Sequence, residues 1–289
     1  MNKKLYISGS IGVTILKKDN KIVIVLADDH SNKIYCKNII KNLDKGDHIE
    51  IKDLLKDETR LKNQVLLEEI PRKHNSNLDL EELWPDSPHT QDLKNLFLSN
   101  DKITGVDVRP YLVPFSWEIL ESESKYNDFL QMNFTLKDYL KNLFDFFNLE
   151  GLFYEKLFRP VYIQITIKNN GLGAHLKSLK KNFLKLGKKI GNKLSEPITY
   201  FFDNEVSILQ DVSILCDDIM EFLIIMNIFI NEKRSLIHTG LYHSDKILRY
   251  LKSLYGFEMI YENGLNNFLD IEKIKKDSKY PSCIYLPKE

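Results

Sequence analysis

The chain has 289 residues, 41 Lys and Arg against 41 Asp and Glu, and 43% hydrophobic residues. That apolar content excludes a disordered chain. The zero formal net charge argues against nucleic acid as the main partner, because phosphate neutralisation draws on a basic surplus. Cys36, Cys216 and Cys283 form no CxxC pair and no disulfide framework, which points to a reducing, cytoplasmic setting. The first residues hold no long apolar run, so no signal peptide is expected. The most apolar stretch, residues 222–230, is far shorter than the ~20 residues of a membrane helix, and no transmembrane segment is expected.

Taken in order, residues 5–16 and 22–26 read as strands joined by the polar turn 17–21. The run Val23-Ile24-Val25-Leu26 is apolar and β-branched, as a buried strand requires. It stops at Asp28, Asp29 and His30, and Ser31 or Asn32 can cap a following helix over 33–43. A second helix is expected over 49–61. Residues 64–67 form a short strand ending in Glu68 and Glu69, stopped by Pro71. A helix over 90–98 and a strand over 103–108 follow, the latter ending Asp107-Val108-Arg109-Pro110.

Residues 114–157 read as helical, with an aromatic cluster around Phe144, Phe146 and Phe147. Residues 161–167 alternate apolar and polar and read as a strand between helical flanks. Leu172, Leu176, Leu179, Phe183, Leu186, Ile190 and Leu194 recur at spacings of three and four, one face of an amphipathic helix. Its other positions carry Lys177, Lys180, Lys181, Lys185, Lys188, Lys189 and Lys193. A solvated face is the default reading; such a helix also suits an acidic partner or a membrane surface. Residues 203–230 are helical. Residues 235–240 form a strand, residues 247–254 a helix stripe with Gly256 as C-cap, and residues 257–261 the last strand before a polar tail over 275–289. The pattern predicts an α/β fold with a central mixed, largely parallel sheet. Two β/α halves, 1–113 and 231–289, would flank a mainly helical insertion or lid over 114–230.

Two stretches share one construction. Ala27-x-x-His30 and Gly240-x-x-His243 each follow an apolar strand and precede helix-starting residues. If the strands run parallel, four polar ends lie on one sheet edge, where open α/β sheets bind ligands. Those ends are Asp28/His30, Glu68/Glu69, Asp107/Arg109 and His243. Two imidazoles with two or three carboxylates suit a divalent metal, or a histidine base oriented by a carboxylate. A helix dipole next to His243 disfavours imidazolium and keeps that ring neutral. Each feature also has a plain structural reading: capping histidines, a solvated Glu68-Glu69 end, and an Asp107–Arg109 ion pair. His48, in the polar turn after Lys45, reads as solvated, and His238 has no comparable setting.

Gly171-Leu172-Gly173 lacks the third glycine and the strand–helix context of a dinucleotide fingerprint. The ordered set Ala27-Asp28-Asp29-His30, Leu66-Leu67-Glu68-Glu69 and Gly240-Leu241-Tyr242-His243 resembles the TIKI/TraB/ChaN/erythromycin-esterase superfamily. Members typically show a strand ending Gly-Glu-x-His, a second strand ending in glutamate, and a late Gly-x-x-His. Here Ala27 and Asp28 stand where the family has Gly and Glu, and the match covers short stretches near each end of the chain. The resemblance implies metal-dependent peptide cleavage, histidine-based ester hydrolysis, or iron or haem binding without catalysis. Carried onto this chain, His30, Glu68 and His243 would hold Zn, Mn, Fe or Co or act as bases, with haem a lesser alternative. Asp28, Glu69 and Asp107 would support them, and Arg109 would hold a substrate carboxylate or an oxyanion. A small-molecule or peptide substrate is expected. The rival expectation is a binding or structural protein that keeps the fold without catalysis.

Overall fold

The run Lys21-Ile22-Val23-Ile24-Val25-Leu26-Ala27-Asp28 is the strand β3, and its last six residues are all buried. A strand apolar at every position must be covered on both faces, and so belongs inside a sheet. The computed structural model describes residues 4–28, 47–68, 103–116, 133–166, 170–230, 234–270 and 284–287, together with Leu93, Leu96, Phe97 and Asn100. The strands are β1 (Lys4–Ser8), β2 (Gly12–Lys18), β3 (Lys21–Asp28), β4 (His48–Glu50), β5 (Gln64–Leu67), β6 (Ile103–Gly105), β7 (Arg234–Gly240), β8 (Glu258–Gly264) and β9 (Ile284–Pro287). The helices are α1 (Ile51–Arg60), α2 (Arg109–Leu112), α3 (Leu136–Tyr139), α4 (Lys141–Phe147), α5 (Gly151–Phe153), α6 (Arg159–Thr166), α7 (Asn170–Ile190), α8 (Ile198–Asn204), α9 (Val206–Ile230) and α10 (Leu241–Ser253).

By contact the chain divides into two units: Met1–Pro71, Asp86–Val106 and Asn231–Glu289 in one, Arg72–Pro85 and Asp107–Ile230 in the other. The first unit is α/β. Its six-stranded sheet has the order β6-β5-β7-β3-β2-β8. The pairs β6/β5, β5/β7 and β7/β3 are parallel, while β3/β2 and β2/β8 are antiparallel. A second sheet, β4-β1-β9, has three strands. The core gathers Val13, Ile24, Leu26, Val65, Leu67 and Leu236 with Ile51, Leu54 and Leu55 of α1. Buried Glu58 of α1 accepts from Arg234 Nη2 at 2.8 Å and Asn63 Nδ2 at 2.8 Å, tying α1 to the start of β7.

Several expectations are corrected. Residues 5–16 are two strands in different sheets, because Gly9 turns the chain at φ 92° and β1 leaves for the second sheet. The third strand stops at Gly105, and Arg109–Leu112 is helical. His48 is half-buried in β4, with its Nε2 2.6 Å from Ser8 Oγ, rather than solvated. Strand β8 extends to Gly264 and is followed by β9, inside the segment read as a polar tail. Tyr285 N–H donates to Asn263 Oδ1 at 3.0 Å, a link that composition does not reveal. The expected helix over 33–43 lies outside the described residues.

The second unit is helical. Phe146 packs on Phe153 and Phe158 with ring centroids 5.5 and 4.9 Å apart, and Phe158 on Phe222 of α9 at 6.1 Å. Residues 161–167, read above as a strand, continue a helix through Thr166. A π-helical turn, Tyr154–Phe158, ends one residue before Pro160 and contains Lys156, four residues back from it. Proline's ring clashes with the carbonyl four residues back in a regular helix, and the widened turn relieves that clash. Among the described residues no helix is long and apolar enough to cross a membrane.

Two predictions follow from packing. A Cβ on Gly12 would lie 1.8 Å from the Leu265 carbonyl oxygen, and Gly12 pairs with both Ala27 and Gly264. Gly12→Ala should therefore cost about 1–3 kcal/mol in urea unfolding, the range for overpacking against backbone. His175 of α7 is buried, edge-on to Phe222 with centroids 4.8 Å apart, and burial lowers its pKa from 6.5 to about 4. Between pH 6.5 and 4 the unfolded chain takes up a proton that the folded chain excludes. Stability present above pH 6.5 is then lost on acidification, by an amount on the order of 3 kcal/mol at pH 4. The slope of stability against pH should flatten in His175→Leu relative to wild type across that window.

Candidate functional site

The strand β7 passes into α10 with no intervening loop: Gly240 ends the strand and is the N-cap of the helix. His243 is therefore the third residue of α10, inside the helix rather than before it, and it is buried rather than solvent-facing. Ser244 reinforces the turn, its Oγ donating to the Gly240 and Thr239 carbonyls at 3.0 and 3.2 Å. Parallel register sets Asp28, the buried last residue of β3, opposite Gly240. On the other side β5 ends at Leu67, opposite His238, so Glu68 projects from the same edge. Three parallel strands, β3, β5 and β7, thus end at one sheet edge.

Glu68 is buried and anchored. Its Oε2 accepts from the Gly240 N–H and from Thr239 Oγ1, both at 2.6 Å. Its Oε1 lies 3.3 Å from His243 Nε2, and both side chains are under a tenth exposed. A charge-assisted N–H···O bond normally runs about 2.7–2.9 Å, so this approach is long for one. Two ligands at about 2.0–2.1 Å from one tetrahedral metal stand about 3.3–3.4 Å apart. The pair therefore fits one edge of a tetrahedral shell, with the other carboxylate oxygen already held by hydrogen bonds, as ligating carboxylates usually are. Among the described residues no group of three or more His, Cys, Asp or Glu is arranged to hold a metal. His30 and Glu69 lie outside the described residues.

Ala27 is buried with Ile11, Leu241 and Leu265. Its methyl thus has an apolar niche between β3 and α10. Beside His243, the Tyr242 ring stands edge-on to the imidazole at 5.2 Å and to Phe268 at 5.3 Å. Lys246 Nζ lies 4.9 Å from the Tyr242 centroid. Thr239 escapes sequence reading, because a threonine before a glycine carries no signal until Glu68 of the neighbouring strand end is placed against it.

Asp107 and Arg109 belong to the helical unit, and there they find each other. Arg109 Nε and Nη2 donate to Asp107 Oδ1 and Oδ2 at 2.9 and 2.7 Å, and Nη1 donates to Asp217 Oδ1 at 3.1 Å. Asp107 Oδ1 also accepts from the Arg109 N–H at 3.0 Å, which starts α2. A guanidinium clamped by two aspartates fastens the start of α2 to α9. Cys216, next to Asp217, is buried, and burial pushes its thiol pKa up, away from nucleophilic use.

The Glu68 anchor makes a graded prediction. Glu68→Ala leaves the Gly240 N–H and the Thr239 hydroxyl without their acceptor and should lower stability by about 2–4 kcal/mol in urea titration. Glu68→Gln keeps an acceptor oxygen in place and should cost about 2 kcal/mol less. Compared with protein-family models, curated proteins and solved structures, the chain matches none.

Proposed function

We propose that the protein is a hydrolase that cleaves a peptide or ester bond with the help of a divalent metal. The observation that carries this reading is the 3.3 Å approach of His243 Nε2 to Glu68 Oε1 at the common end of β5 and β7. His243 and Glu68 would supply two ligands. His30, two residues beyond the buried end of β3, is the residue from which a third would come. A divalent metal held there would supply a Lewis acid able to activate water as a nucleophile at neutral pH. The chain's own part is orientation and protonation. The Gly240 N–H and Thr239 hydroxyl fix the Glu68 plane, and Glu68 fixes the imidazole. His243, in the first turn of α10, would ligate or accept a proton through Nε2, the atom that faces Glu68.

A second reading rests on the same carboxylate. Glu68 Oε2 bridges β5 to the β7–α10 turn through two short hydrogen bonds, and such a bridge serves a non-catalytic protein equally well.

Elemental analysis of protein purified without chelator separates the two. The expected result is stoichiometric Zn, Mn, Fe or Co in wild type and its loss in His243→Ala, with circular dichroism unchanged. Metal-free wild type whose melting temperature does not rise on adding any of these ions would overturn the metal-assisted reading. Turnover of p-nitrophenyl esters by such metal-free protein would point to a histidine base instead, and its absence to the non-catalytic protein.

A further inference from the structure

Charge is segregated along this chain. Residues 156–195 hold ten Lys and Arg and no Asp or Glu, although acids average about one in seven overall and about six would be expected there. Most of these cations sit on α7. At 100° per residue, Lys177, Lys180, Lys181, Lys185 and Lys188 fall within an arc of about 140°, along about 16 Å of helix. All five are exposed. The opposite face, with Leu172, His175, Leu179, Leu186 and Ile190, is buried. Lys189 and Lys193, at the margin and beyond the helix end, pair with Asp211 (2.5 Å) and Glu205. Among the described residues the five lysines of the stripe make no ion pair. Like charges crowded on one helix face repel, and among the described residues no acidic partner offsets that cost.

We propose that this face of α7 docks on an anionic lipid membrane. Three features favour lipid over nucleic acid. Leu184 lies in the middle of the stripe and is 64% exposed; a leucine gains free energy at a headgroup–acyl boundary and nothing against a phosphodiester chain. The charged residues of the stripe are all lysine, compact point charges suited to a diffuse negative surface. Arginine, which grips single phosphates with its planar fork, is absent from the stripe. Aromatic residues on which bases could stack are absent from it too. The stripe lies along one helix side, so the helix would rest parallel to the surface with the buried face turned inward.

The test uses the full chain and sedimentation with vesicles of phosphatidylcholine containing 30% phosphatidylserine. Binding is expected to these vesicles, not to pure phosphatidylcholine, and should be lost in 0.5 M NaCl as screening shortens the field. Each lysine near such a surface contributes about fivefold in affinity, so Lys180→Glu/Lys181→Glu/Lys188→Glu should weaken binding at least about 100-fold. Lys56→Glu/Lys62→Glu/Lys252→Glu changes net charge equally at exposed positions elsewhere and should bind nearly as wild type. Leu184→Ser should weaken binding severalfold with circular dichroism unchanged. Equal losses in the two triple variants, or no binding to the anionic vesicles, would overturn the proposal. So would tighter α7-dependent binding to a DNA oligonucleotide than to the vesicles.

Discussion

Asp28 and Gly240 are cross-strand neighbours although most of the chain lies between them, and the site depends on that pairing. Parallel strands in register must end together, so whatever follows each strand shares one sheet edge. A slip of one residue between β3 and β7 would turn every side chain of β7 to the other face. It would also carry Gly240 away from Glu68. Val23–Asp28 and Ser235–Gly240 are buried throughout, and the hydrogen bonds of Glu68 to Thr239 and Gly240 select which residues of β7 stand at the edge. Burial of the strands and placement of the carboxylate are thus one constraint.

How much of this was legible in the residues differs by element. β3 and β5 announce themselves, because a β-branched run halted by carboxylates admits few other readings. The parallel pairing of the two motif strands was a condition of the reading, which the repeated spacing Ala27-x-x-His30 and Gly240-x-x-His243 suggested without fixing; the register of β3 on β7 supplies it. β9 is not legible: four residues among polar neighbours acquire strand character only from β1 beside them. The helix through residues 161–166 was masked by an accidental alternation of apolar and polar residues. The π-helical turn before Pro160 has no periodic signature at all. His48 reads as solvated until its hydrogen bond to Ser8, forty residues away, is in place.

For the candidate site, residue types were legible and second partners were not. Glu68 and His243 could be named from strand-end chemistry. That Thr239 and the Gly240 N–H would hold the second oxygen of Glu68 needed the third dimension. Arg109 shows the opposite case. A lone arginine near a strand end invites a substrate, yet Asp107 and Asp217 both engage it. The second of these partners sits on a helix more than a hundred residues later, beyond the reach of local reading.

The order of strands has a further consequence for synthesis. In space β7 lies between β5 and β3, yet the ribosome delivers it only after the whole helical unit. Until residue 240 emerges, β3 and β5 each carry an apolar edge facing a slot with no occupant. Unpaired apolar edges of this kind recruit other chains. A nascent or truncated chain lacking Arg234–Gly240 is therefore a sheet split down its middle, and its exposure to misassembly lasts as long as translation of the 160-odd residues between β5 and β7.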